Sequence, residues 1–313
     1  MSYDENPTPA TGPRRSRRGL LAVAALAPTT LAGWLAWQVM GSPGESRPSK
    51  ESTPATAGKP GDTTPQAPPS ASPSLVPPTA SPAFSKGPSG PLAGKVVVID
   101  PGHNPGNFRH SRDINKLVDI GTNRKECDTT GTSTNAGYTE AEFTLDVSHR
   151  LRTLLEKQGA RVEFTHDNDR PFGPCIDERA RFGNEAEADA VISVHGDGSA
   201  EGNRGFHVIL PALVKSGAAD TSKIVGPSRD LGERIVGKFV RATGSAPSNY
   251  VGGGTGLDVR KDLGGLNLSD VPKVFIECGN MRDPKDAALL TSPGWRQKAA
   301  QGMADGISSY LEG

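Results

Sequence analysis

Lys95-Val-Val-Val-Ile-Asp-Pro-Gly-His-Asn104 is the stretch from which the fold can be read. Its aliphatic run, Val96 to Ile99, stops at Asp-Pro-Gly, and a histidine follows at once. A continuous apolar run of this length reads as a strand buried on both faces, the kind found in parallel sheets of α/β proteins. In open α/β sheets ligands bind beyond the carboxyl ends of the strands, and His103 falls there. Ala190-Val-Ile-Ser-Val-His195 repeats the pattern, a buried-looking strand with a histidine at its carboxyl end. Two such histidines point to a shared metal ion.

Outward from these strands, the chain alternates. Strands are expected at Lys95–Asp100, Arg161–Thr165, Ala188–His195, Gly205–Leu210 and Lys273–Cys278, and helices at about 139–158, 177–187, 227–243 and 294–311. In the first helix Phe143, Val147, Leu151 and Leu154 form an apolar stripe, with Thr139 as N-cap. Glu140 lies three residues before Phe143 and shares that stripe, whereas Glu142 points nearly the other way, so Glu140 is the carboxylate expected to look toward the sheet. Strands alternating with helices predict an α/β fold: a single domain with a mainly parallel twisted sheet flanked by helices on both faces.

That domain should occupy residues 94–313. Of 27 prolines, 17 precede Gly94, and residues 41–93 are mostly Pro, Ser, Thr, Ala and Gly. Such a segment has too little apolar surface to offset its ordering entropy and reads as a disordered linker. Ahead of it, residues 1–19 carry the basic run Arg14-Arg15-Ser16-Arg17-Arg18, Ser16-Arg-Arg-Gly-Leu-Leu21 resembles a twin-arginine export motif, and residues 20–40 form an apolar run long enough to be a membrane anchor or a signal. The domain is therefore expected to work outside the cytoplasm, with a membrane tether through the N-terminus if the segment is retained. The 35 basic and 35 acidic residues balance, which gives no support for nucleic-acid binding. A monomer is the default expectation.

The three cysteines fit an exported protein. Cys127 and Cys175 lie in polar, loop-like sequence and are the expected disulfide pair. Cys278 follows Glu277 inside an apolar strand, so its side chain faces the other way and reads as a buried thiol.

The chemistry gathers further in Pro272-Lys-Val-Phe-Ile-Glu-Cys-Gly-Asn-Met281, another buried strand ending in a carboxylate and a turn. One sheet edge would then collect His103, Glu140, His195 and Glu277. Two imidazoles and one carboxylate are the ligand set of several hydrolytic zinc sites. A further carboxylate within reach of the attacking water could take its proton and pass it to a leaving amine.

Four segments, Ile99-Asp-Pro-Gly-His-Asn104, Gly137-Tyr-Thr-Glu140, Ser193-Val-His195 and Phe275-Ile-Glu-Cys-Gly-Asn280, resemble those of the zinc-dependent N-acetylmuramoyl-L-alanine amidases of the catalytic type 3 group. The resemblance covers about 94–313. It implies one zinc ion held by His103, Glu140 and His195, and Glu277 as the catalytic carboxylate. It also implies cleavage of the amide between N-acetylmuramic acid and L-alanine of the stem peptide, in peptidoglycan or muropeptides. Thr132-Ser-Thr-Asn-Ala-Gly-Tyr138 and Gly173-Pro-Cys-Ile-Asp-Glu-Arg179 are similar to the compact mycobacterial-type members, which implies a disulfide-braced hairpin near the site. Asp197 stands where many members carry asparagine. Two alternatives stay open: a non-catalytic wall-binding or hydrolase-activating module, and another envelope zinc peptidase or deacetylase.

The other histidines, His110, His149, His166 and His207, read as structural or surface residues, with His207 the one that a strand could turn toward the site. Asp100 is expected to support the turn or to orient a ligand, and Asn104 and Asn280 to fix the backbone. The glycines of Gly252-Gly-Gly-Thr-Gly256 are expected in a loop over the substrate groove.

Overall fold

The computed structural model describes residues 89–313; the basic and apolar N-terminal segments and nearly all of the Pro-rich stretch lie outside the described residues. In chain order the elements are β1 (Val96–Pro101), α1 (Ser111–Ile114), the hairpin β2 (Leu117–Asp119) and β3 (Arg124–Glu126), α2 (Glu140–Lys157), β4 (Arg161–Phe164) and α3 (Ile176–Glu185). There follow β5 (Ala190–Asp197), β6 (His207–Pro211), the small hairpin β7 (Lys215–Ser216) and β8 (Ala219–Asp220), and α4 (Val225–Thr243). The chain ends with β9 (Leu257–Arg260), α5 (Gly264–Asn267), β10 (Lys273–Asn280), α6 (Pro284–Leu290) and α7 (Pro293–Glu312). Among the described residues no helix is long and apolar enough to cross a membrane.

One six-stranded sheet runs in the order β4-β1-β5-β10-β6-β9. Every neighbouring pair is parallel except β10 with β6, so the sheet is mainly parallel, as the alternation of elements predicts. The carboxyl ends of β1, β5 and β10 consequently share one edge.

Side chains alternate across a strand, so register sorts the sheet into two unlike faces. Val97, Ile99, Ile192, Val194, Val274 and Ile276 point into the main core. There they meet Phe143, Val147, Leu151 and Leu155 of α2, Ile235 and Phe239 of α4, and Met303 and Ile307 of α7. Cys278 is buried in this core, on the face opposite Glu277. On the other face, Asp100 is in register with Ser193 and Ser193 with Phe275; in the next row His195 pairs with Glu277 and Glu277 with His207. A small apolar cluster of Val98, Ala188 and Val191 covers part of that face beside α3, and α5 packs over Phe275. Helices therefore lie on both faces, but one face is apolar and the other carries charge.

Local chemistry sets the helix ends. Thr139 Oγ1 accepts the Glu142 N–H and Glu142 Oε2 accepts the Thr139 N–H, a capping box that starts α2. Ser292 caps α7 ahead of Pro293, and α4 stops at Gly244 with φ +72. At the amino end, Leu92 is fully buried and its N–H donates to Gln158 O at 2.9 Å, so packing begins just ahead of the boundary read at Gly94.

Candidate active site

Four elements deliver the chemistry to the shared carboxyl edge. His103 follows β1 in a left-handed backbone conformation, φ +62, which costs a non-glycine residue about 1–2 kcal/mol and marks a position held for its side chain. Glu140 is the first residue of α2, and His195 and Glu277 are register partners in β5 and β10. Glu140 Oε2 lies 3.2 Å from His103 Nε2 and Glu140 Oε1 lies 2.9 Å from His195 Nδ1. The three potential donor atoms all fall within 4.8 Å of one another, and the two imidazole rings stand nearly perpendicular. Backbone N–H groups of Thr132 and Gly196 also donate to the Glu140 carboxylate, which fixes its plane.

Glycine makes this closeness possible. A side chain at Gly102 would sit 2.4 Å from His195 Cε1, and one at Gly131 would sit 2.7 Å from His103 Cδ2 and 2.8 Å from Glu140 Oε2. His195 is further braced by the Phe275 ring, stacked at 5.2 Å.

The electrostatics differ sharply between the two glutamates. Burial alone would raise the Glu140 carboxyl, but the imidazoles of His103 and His195 hold it below the usual carboxylate range. Burial would lower His103, but Glu140 and Asp128 raise it well above an ordinary imidazole. Burial raises Glu277, and the charges of Glu140 and Asp197 raise it further. Glu277 Oε2 is shielded from solvent and has no hydrogen-bond partner. An ionised carboxylate between two imidazole nitrogens suits a cation, and this donor set of two nitrogens and oxygen fits zinc.

A cleft of about 280 Å³ opens over these groups, lined by His103, Glu140, His195, Asp197, Arg260 and Glu277 among others. Arg260 is locked by a two-point pair with Asp262 at 2.9 and 2.6 Å, and the Tyr250 hydroxyl donates to Asp197. A second cavity of about 170 Å³ lies against the same two histidines, between Lys125 of β3 and Leu263.

The structure thus brings together all four residues singled out in the sequence. The glycine loop expected over the groove is not found there. None of residues 252–256 lines either cavity. That segment packs instead on Val236 and Leu257, and Tyr250 just before it donates to Asp197, which lines the cleft. His207 is buried with its ring edge-on to Tyr250, while His110, His149 and His166 pair with Asp113, Asp167 and the Pro101 carbonyl. Asn104 and Asn280 bond loop backbone, as expected. Sequence reasoning missed Tyr250, Arg260 and the buried Lys273, although a lysine inside the apolar run of β10 is a signal for a buried ionic partner.

A mainly parallel sheet that gathers a His-Glu-His cluster able to hold a metal and an unpaired carboxylate toward the carboxyl edge of its strands places the chain among α/β-fold hydrolases with a potential metal site. Within that class the chain belongs to the Amidase_3 family, N-acetylmuramoyl-L-alanine amidase, which it matches over residues 97–309. It is 40% identical over 221 residues to the N-acetylmuramoyl-L-alanine amidase Rv3717 of Mycobacterium tuberculosis, covering 70% of this chain and 88% of that protein. The crystal structure of the amidase Ami1 from Mycobacterium smegmatis superposes with a TM-score of 0.64 at 38% identity, covering 71% of this chain and 99% of that one. The apo form of Ami1 from Mycobacterium abscessus does so with a TM-score of 0.64 at 39% identity, covering 70% and 100%.

Proposed function

We propose that this chain hydrolyses the amide between the lactyl group of N-acetylmuramic acid and L-alanine of the peptidoglycan stem peptide. In this reading His103 through Nε2, His195 through Nδ1 and the Glu140 carboxylate hold one zinc ion, and Glu277 is the catalytic carboxylate. Bound there, zinc supplies Lewis acidity, lowering the pKa of water to about 7 and polarising a carbonyl. The observation that carries the reading is the pairing of Glu140, shared between two imidazoles, with an unpaired Glu277 Oε2 in the same cleft. A carboxyl whose proton affinity is raised by burial can take a proton from water and deliver it to the departing alanine nitrogen. Family membership supports the bond assigned.

The same reading sets the work outside the cytoplasm, on the cell wall. The layout that goes with it has a basic segment at 1–19, an apolar signal or anchor at 20–40, a spacer at 41–93 and the catalytic domain at 94–313.

The test is product analysis. The full chain, zinc-loaded or treated with a chelator, is incubated with muramoyl-peptides and the products are weighed by mass spectrometry. Chelator-sensitive release of a peptide beginning at L-alanine, with glycan intact, is expected. Fragments cut within the stem, or loss of acetyl groups, would replace the amidase reading by a peptidase or a deacetylase. Glu277→Gln should keep its zinc while kcat falls about 10²–10⁴-fold, whereas His103→Ala and His195→Ala should lose both.

A further inference from the structure

The two imidazoles that face Glu140 turn their other ring nitrogens away from it, and those nitrogens meet different partners. His103 Nδ1 lies 3.1 Å from the Thr129 carbonyl oxygen. His195 Nε2 lies 3.2 Å from Ser193 Oγ, and Ser193 Oγ donates to Asp100 Oδ2 at 2.8 Å. Ser193 and Asp100 are both buried.

We propose that Ser193 and Asp100 form a positioning relay that fixes the tautomer and ring orientation of His195 for metal binding. The inference rests on the metal centre proposed above. Asp100 is flanked by two buried cations, with Arg179 Nη1 2.7 Å from Oδ1 and Lys273 Nζ 3.3 Å from Oδ2. Thr165 Oγ1 also donates to Oδ1 at 2.7 Å. An ionised carboxylate accepts hydrogen bonds and donates none, so the single hydroxyl hydrogen of Ser193 is committed to Asp100. The hydroxyl then meets His195 Nε2 only with lone pairs, which requires the N–H of His195 at Nε2. Its free lone pair is thereby set on Nδ1, the atom 2.9 Å from Glu140. His103 is set the opposite way, with N–H at Nδ1 toward a carbonyl and the lone pair at Nε2.

Arg179 ties the two arrangements together. Its Nη2 lies 3.0 Å from Asp128 Oδ2, and the other oxygen of Asp128 approaches His103 Nδ1 at 3.5 Å. One guanidinium thus braces the carboxylates behind both histidines. Partners of this kind, which orient a ligand without touching the metal, change metal affinity by about 10–100-fold when removed.

The test uses the full chain and reads zinc binding rather than turnover. Zinc affinity is measured by competition with a chromophoric chelator for the parent and for Ser193→Ala, and each metal-free protein is melted as a control. The expected result is binding about 10–100-fold weaker in the variant, with metal-free melting within about 2 °C of the parent. Affinity within twofold of the parent overturns the relay. Should Ser193→Ala fail to fold, nitrogen-15 spectroscopy of the zinc-loaded parent decides: N–H at Nε2 of His195 supports the relay, and N–H at Nδ1 overturns it. A parent chain that binds no zinc would instead remove the metal centre on which the relay depends.

Discussion

Glu140 and Glu277 line one cleft, yet their surroundings drive their protons in opposite directions. Glu140 sits between imidazoles and backbone donors and stays charged; Glu277 Oε2 has no hydrogen-bond partner, and burial with the charges of Glu140 and Asp197 outweighs His103 and Arg260. Pairs of acids separated in this way divide the tasks of holding charge and moving protons. Beneath them, Asp100 shows the same logic carried to complete burial. Burial alone would raise its pKa, but Lys273 and Arg179, with the Thr165 hydroxyl, hold it far below the carboxylate range. Asp128 is lowered likewise, against its burial, by Arg179 and His103. An unfolded aspartate titrates near about 3.9. Because the folded values lie below that, the stability these groups contribute is complete above about pH 4 and drains away as pH falls toward the folded values. Metal-free protein should therefore lose stability steeply below about pH 4. Asp100→Asn should flatten that acid limb, and should cost about 3–5 kcal/mol at pH 7 because Arg179 and Lys273 lose a buried counter-charge. Urea titrations from pH 3 to 7 read both effects, and an unchanged limb in the variant would assign acid sensitivity to other carboxylates.

At the scale of elements, α2 carries more of the site than its single ligand suggests. Glu140 is its first residue, so the helix start and the carboxylate's position are one feature. Thr139→Ala removes the side-chain half of the capping box and should destabilise the domain by about 1 kcal/mol, measured as a shift in urea midpoint with unchanged slope. This helix was legible in the sequence because its apolar stripe has the 3.6-residue period and its cap is local. β1, β5, β6 and β10 were legible for a similar reason, as apolar runs bounded by turn residues, and the four-residue β4 only from its place between two helical patterns. The running-on of β5 and β10 to Asp197 and Asn280 was not, since pairing past the histidine and glutamate depends on neighbours rather than on hydropathy. Nor were the four-residue strand β9, the two-stranded β2–β3 hairpin or α5, which are too short to show a period. The two-sidedness of the sheet was half visible. Asp100, Ser193, His195, Lys273 and Glu277 all fall on one face by simple alternation, but only register across strands places Ser193 beside both Asp100 and Phe275. The glycine cluster at 252–256 marked a loop, but its expected place over the groove was wrong, because where a loop packs is beyond any local signal.

At the scale of the whole molecule, the disulfide joins regions that the sheet does not. Cys127 and Cys175 are bonded with their Cα atoms 4.3 Å apart and a sequence separation of 48. The loop they close contains all of α2 and β4. In the unfolded chain a closure of that length removes entropy worth about 4 kcal/mol. In the folded chain the bond holds two short segments whose own contacts are polar. Asp128, next to Cys127, receives Arg179 Nη2, and Pro174, next to Cys175, accepts from Arg179 Nε at 2.9 Å. Reduction should therefore lower the melting temperature of the metal-free chain by roughly 10 °C, a shift that size scaling gives for about 4 kcal/mol in a domain of this length. The comparison is clean because the sequence holds only three cysteines and the third, Cys278, is buried and unbonded in the core, so reductant alters one bond. Calorimetry with and without reductant, repeated on Cys127→Ser/Cys175→Ser, separates the bond from the reagent. If the double variant melts with the oxidised parent, the loop is held by the Arg179 contacts and strand packing instead, and the entropic contribution of the disulfide is already spent in a compact unfolded state.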